Sequence, residues 1–239
     1  MNLTLGKILD YGLSLPKTLY FCFRMLPFEQ AIRIPIIVSR HTLLADLSGK
    51  VVLDKSAKFG DVRIGFRRVG IFDYYKSRTI LQISGTLRLN GKVELGQGTR
   101  LSVNRGGTLT FRENVTFVGE SAVVCSKDIE FKEGTLVSWQ CQFMDTDMHS
   151  ILKNGQLINK SQSIVIGKHC WICSRCLILK GSFLHDNCVL GGGSMLLPVK
   201  HEPFSVLVGN PAKQIRENVE WSRVSPEECK CSQLRTGLI

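Results

Sequence analysis

A chain of 239 residues that is 44% hydrophobic and 21% charged has the length and apolar content for a sizeable core, which excludes intrinsic disorder as the default. Its 31 Lys and Arg against 20 Asp and Glu leave a formal charge of +11, favouring an anionic partner: a phosphate-bearing cofactor, an anionic membrane surface or a nucleic acid. Nine cysteines, an odd number at spacings that follow a structural repeat, fit a reducing cytoplasm better than a disulfide framework.

Residues 1–45 read as an N-terminal cap, partly helical. The stretch YGLSLPKTLYFCFRMLPFEQAIRIPIIV mixes aromatics with Lys and Arg, a composition suited to folding over the end of a core or to docking on a membrane surface. Lys7, Asp10, Lys17, Arg24, Glu29 and Arg33 interrupt it, so neither a signal peptide nor a membrane-spanning helix is expected.

From residue 46 to 199 a period of six organises the chain. Leu47, Leu53 and Phe59 begin it, Ile83, Leu89, Leu95 and Leu101 continue it, and Phe111, Phe117, Val123 and Ile129 follow. The longest run is Ile166, Ile172, Ile178, Leu184, Leu190 and Leu196, where the residue four places after each of the first five is small: Cys170, Cys176, Ser182, Cys188 and Ser194. This pattern predicts an all-β parallel β-helix: three short flat strands per coil, an aliphatic residue filling the interior and a small residue at a tight inner corner. An ordinary sandwich or barrel would show period-two alternation with irregular turns instead. Residues at about 64–79 and 144–163 lack the period and read as loops leaving the coil, where chemistry is usually mounted. Residues 200–239 read as a C-terminal tail.

The segment IVIGKHCWICSRCLILKGSFLHDNCVLGGGSMLLPV, followed by VGNPAKQIRE, resembles the hexapeptide-repeat acyltransferases over about residues 80–221, and most closely their sugar and polysaccharide O-acetyltransferases. The resemblance implies a left-handed coil, a bacterial homotrimer with active sites at subunit boundaries, acetyl-CoA as acyl donor, no metal, and a carbohydrate acceptor in polysaccharide, capsule or lipopolysaccharide biosynthesis. DTDMHSI resembles the family's histidine-bearing loop, so His149 is the expected general base, with Asp145 or Asp147 to orient or polarise the imidazole. Trp171 and Ser174 match positions near the pantetheine arm and the thioester, although Cys173 stands where the family commonly carries glycine. Lys200, Lys213 and Arg216 fall where the family binds the CoA phosphates. Trp139, just before the histidine loop, offers a ring face for the acceptor sugar. A cytoplasmic enzyme, peripheral at the inner face of the membrane, accords with this setting.

Rival functions have less support. A serine or amino-sugar N-acetyltransferase shares coil and histidine and differs in acceptor. A non-catalytic β-helix scaffold needs neither the loop histidine nor a basic tail. A zinc-dependent γ-class carbonic anhydrase needs three converging ligands, and His41, His149, His169, His185 and His201 lack that pattern, His169 and His185 occupying repeat positions expected to face solvent. No nucleic-acid-binding module is recognisable, and the charge is not gathered in one basic segment.

Overall fold

The computed structural model describes residues 5–229, so residues 1–4 of the expected cap and 230–239 of the expected tail, Cys231 included, lie outside the described residues. Three parallel sheets form the three faces of a coil. The first runs from Ile36–Val38 through Val62–Ile64, Val93–Leu95, Val115–Gly119, Leu136–Trp139, Trp171–Ile172 and Val189–Leu190 to Val206–Gly209. The second joins Leu43–Asp46, Ile80–Ile83, Arg100–Val103, Ala122–Cys125, Gln142–Met144, Leu177–Leu179 and Met195–Leu196. The third joins Lys50–Leu53, Thr86–Leu89, Thr108–Phe111, Asp128–Phe131, Ile164–Ile166 and Phe183–Leu184. Among the strands of these three faces consecutive ones never pair; each pairs with the strand one full turn later, which makes the architecture a parallel β-helix.

The period of six is one face of that coil. Ile166, Ile172 and Ile178 lie on the third, first and second faces, and Leu184, Leu190 and Leu196 stack directly on them one turn later. All six are fully buried. The small residues form a ladder at the corner between the first and second faces, where Thr42, Thr79, Thr99, Ser121, Cys141, Cys176 and Ser194 are stacked and each is at most 2% exposed. From Thr79 onward each carbonyl in the ladder accepts the amide that follows the residue below it, as in Ala122 N–H to Cys141 C=O at 2.8 Å and Gln142 N–H to Cys176 C=O at 2.9 Å. The corner has room for a hydroxyl or thiol and little more, which accounts for Cys141 and Cys176 there; six of the eight described cysteines are buried. At the next corner the space closes further, because a Cβ on Gly85 would stand 2.3 Å from the Asn104 carbonyl oxygen and 2.5 Å from that of Gly107.

Phe59 departs from the expected pattern: it is 69% exposed. Leu53 stacks on Leu89 and Ile64 on Leu95, yet the step from Leu53 to Ile64 is five residues longer than that from Leu89 to Leu95. The extra residues bulge out at the turn and carry Phe59 outward, while Val62 and Ile64 take the interior positions.

The coil also starts earlier and ends later than the six-residue period shows. Ile36–Val38 pairs with Val62–Ile64, so the coil begins inside the stretch expected as cap, and Val206–Gly209 extends the first face into the expected tail. Helix α1 (Leu5–Met25) covers the exposed edge. Its Thr18 hydroxyl donates to the Val38 carbonyl at 3.2 Å and accepts the Val38 amide at 3.0 Å, so one side chain satisfies the edge strand while Phe21, Cys22 and Met25 close the core beneath it. Asp10 on the same helix binds Arg40 at 3.0 Å, Arg68 at 2.9 Å and the Tyr74 hydroxyl at 2.6 Å, which ties the first excursion loop to the cap.

At the other end His201 is 4% exposed. Its Nε2 accepts the His185 amide at 3.1 Å and its Nδ1 faces the Val199 carbonyl at 3.1 Å, an arrangement that suits the neutral ring with its proton on Nδ1. Burial, opposed by the Val199 bond and aided by His185, holds its pKa below the usual histidine value of 6.5. The stabilisation is therefore complete above pH 6.5 and is lost as pH falls through 6.5 toward the lowered folded value. Between pH 7.5 and 5.5 the wild type should lose more Tm than His201→Gln, which can still accept the His185 amide; equal losses would remove His201 as the source.

Candidate active site

After Met144 the chain leaves the second face and rejoins the third at Ile164. Asp145, at the root of this excursion, is fully buried. Its Oδ1 accepts the Ser126 amide at 2.7 Å and its Oδ2 accepts those of Lys127 and Asp128 at 2.7 and 2.9 Å. Both oxygens are thus committed to the corner of the coil beneath, so Asp145 anchors the loop rather than orienting the imidazole as the sequence suggested.

Asp147 also has other partners. Its carboxylate binds the Lys180 ammonium and accepts from Asn159 Nδ2 at 2.8 Å, and the Lys180 contact, the larger cause, holds its pKa below the usual carboxylate value. Lys180 follows the strand Leu177–Leu179, which pairs with Gln142–Met144, so the ammonium meets the loop one turn further along the coil. Asn159 completes the clamp: its Nδ2 also donates to the His149 carbonyl at 2.7 Å, and its Oδ1 accepts the Ile151 amide at 2.7 Å. Met148 turns the backbone with φ 62°, and the His149 amide reaches the Asp147 carbonyl at 2.7 Å. The outcome is an exposed imidazole on a pinned backbone. Among the described residues no hydrogen bond or ion pair joins the ring to another side chain.

The remaining expected residues divide between two places. Trp171 lies outward on the first face; its Nε1 donates to Ser138 Oγ at 3.2 Å, beside Trp139, which is half-buried. The chain's own tail lies over it. Trp221 sits 5.8 Å from the Trp171 ring, stacks on His169 at 4.4 Å and donates from Nε1 to the His169 carbonyl at 2.6 Å. His169 is therefore under an indole rather than facing solvent freely, and Trp171 has a covering ring from its own chain. Further along, Arg223 donates to the carbonyls of Asn114 and Gly134 at 3.0 and 2.9 Å and to Thr116 Oγ1 at 3.1 Å. Ser174 is half-buried at the corner beyond Trp171, with Gly192 one coil above; burial raises the neighbouring Cys173 thiol to about 11, which keeps it a neutral thiol.

Lys200, Lys213 and Arg216 are exposed at the C-terminal end, the last two on Ala212–Arg216, which folds back antiparallel on Val206–Gly209. Among the described residues no hydrogen bond or ion pair joins the His149 loop, at the corner of the second and third faces, to Trp171 or to these cations. A cleft of about 470 Å³ between Phe59, Arg63, Lys92, Glu94, Thr116 and Arg223 includes none of these residues. Sequence reasoning missed Asn159, Lys180 and Trp221, since a clamp built across two coils and a tail that doubles back leave no spacing to read.

No family model matches the chain. Over 205 residues it is 26% identical to an uncharacterized 24.8 kDa protein in the cps region of Klebsiella pneumoniae, covering 83% of this chain and 86% of that one. Over 107 residues it is 34% identical to the polysialic acid O-acetyltransferase of Neisseria meningitidis, covering 44% of this chain and half the length of that enzyme. The crystal structure of the polysialic-acid-specific acetyltransferase NeuO aligns over 83% of this chain and 91% of its own, with a TM-score of 0.49 and 16% identity.

Proposed function

We propose that this chain, a hexapeptide-repeat protein of the sugar O-acetyltransferase kind, transfers an acetyl group from acetyl-CoA to a carbohydrate hydroxyl in capsule or related polysaccharide biosynthesis. The observation that carries this is the exposed His149 imidazole on a loop pinned by Asn159, Asp147 and Lys180 and mounted on a six-residue-period coil. The 34% likeness to an enzyme that acetylates polysialic acid supports the acceptor class.

A sugar hydroxyl is a poor nucleophile near neutral pH. His149 as the neutral base accepts its proton while the oxygen attacks the thioester carbonyl, and the collapsing tetrahedral intermediate expels CoA thiolate, which takes that proton from the imidazolium. Ser174, by its hydroxyl or a nearby amide, is assigned to the developing oxyanion, Trp171 to the pantetheine arm, Lys200, Lys213 and Arg216 to the CoA phosphates, and Trp139 to the sugar ring. Because the His149 loop leaves the corner of the second and third faces while the basic hairpin folds back on the first, the site on this proposal is completed by a neighbouring copy in a homotrimer working at the cytoplasmic side of the membrane.

The test is release of free CoA thiol from acetyl-CoA with a panel of oligosaccharides, nucleotide sugars, amino sugars and serine. Release driven by a glycan hydroxyl and accompanied by an ester-linked acetyl group is the expected result. Release driven by serine or by an amino sugar, with an amide product in the latter case, would replace the acceptor; no release with any acceptor would remove the enzyme.

A further inference from the structure

Helix α1 is apolar on two sides. Its inner side closes the coil through Thr18, Phe21, Cys22 and Met25. On its outer side Leu9, Leu13, Tyr20 and Phe23 fall on one stripe of the helical period, and they are 57, 58, 59 and 50% exposed. The Phe23 ring lies 6.1 Å from that of Phe28, which is 70% exposed and opens the short helix Phe28–Ala31, followed by Ile32 at 54%. Arg33 Nη1 donates to the Lys55 carbonyl at 2.8 Å, which sets the bulged turn, with Lys55, Lys58 and Phe59, beside this surface. Among the described side chains the exposed charges of these three segments are Arg24, Arg33, Lys55 and Lys58 against Glu29. Capping the coil requires none of this, since it uses the opposite side of α1 and the coil above lacks the five-residue bulge.

We infer that this end of the molecule is a membrane-docking surface: α1 lies in the headgroup plane of an anionic bilayer, its outer stripe at the acyl boundary and the four cations on acidic headgroups. No helix among the described residues is long and apolar enough to cross a membrane, so the stripe lies on the bilayer rather than through it. Apolar burial and basic attraction together give the two signals that stable peripheral binding needs, and the charge of +11 steers the chain to such a surface. A second copy is the competing occupant, but a two-fold contact on this patch would set the same cations against one another. The inference does not depend on the acyl-transfer proposal.

Flotation of the full chain with vesicles tests it. Binding to phosphatidylcholine vesicles containing phosphatidylglycerol should exceed binding to phosphatidylcholine alone by at least about tenfold and fall with added salt. The Leu9→Ser, Leu13→Ser, Phe23→Ser triple variant should lose at least about tenfold of it with an unchanged Tm. If that variant melts early, Lys55→Gln with Lys58→Gln, both on an exposed turn, decides by weakening binding to anionic vesicles alone. Equal binding to both vesicle types, or by wild type and both variants, would overturn the inference. So would a concentration-dependent rise in mass that the triple variant abolishes while neither protein floats, which would assign the patch to a second copy.

Discussion

Replacing His149 with alanine is expected to lower kcat for acetyl transfer at least about a hundredfold, the usual span of a general base, while leaving KM for acetyl-CoA and Tm close to wild type. The separation of these readouts follows from the geometry. The ring is exposed and, among the described residues, holds no side-chain hydrogen-bond or ion-pair partner, whereas the loop is fixed through the His149 backbone carbonyl, which alanine retains. Asn159→Ala gives the converse. It removes the donor to that carbonyl and the acceptor for the Ile151 amide, so the base stays but its position spreads, and kcat should fall by about tenfold with the pH profile of kcat unmoved. A merely structural Asn159 would lower Tm and active fraction without separating kcat from KM. Unchanged kcat in His149→Ala would remove it as the base.

How much of this was legible in the sequence follows from what each feature depends on. The coil was legible because its repeat is local: Ile166 to Leu196 step by one face at a time, and the small residue four places after each of the first five marks a corner that one coil alone defines. Phe59 kept the spacing and lost the burial, because an insertion at one turn shifts the interior to Val62 and Ile64 without disturbing the aliphatic count. The histidine was legible only through a family-like loop sequence. Its support was not, since Asp145 and Asp147 are equally near in sequence and the coil alone decides that one meets three backbone amides and the other Lys180. Trp221 was illegible for the same reason: its partner His169 lies 52 residues away, and nothing in a six-residue period tells where the tail returns.

Phe131→Ala should destabilise the coil by about 3–5 kcal/mol, the range for a large aromatic emptied from a rigid core. Phe131 is fully buried and stacks on Phe111 at 5.2 Å and 7° between the rings, with its other contacts edge-on to Phe117 at 5.1 Å and Phe143 at 4.8 Å. These four rings come from two consecutive turns and meet across all three faces, so truncation leaves a cavity that no single side chain can fill by a rotamer change. Phe131→Leu should cost less than about half as much, because most of the volume is kept. The loss should also be local. Each turn touches only its neighbours, so hydrogen exchange should quicken most in Thr108–Phe111, Val115–Gly119, Asp128–Phe131 and Gln142–Met144, and least in Ile36–Val38 at the capped end. Gln142–Met144 is also where the His149 loop departs, with Phe143 packed on Phe131 one residue before Met144. The variant should therefore lose acetyl transfer at temperatures where the capped end is still protected. Uniform loss of protection along the chain would show instead that the coil melts as one unit and that its aromatic centre holds up both ends.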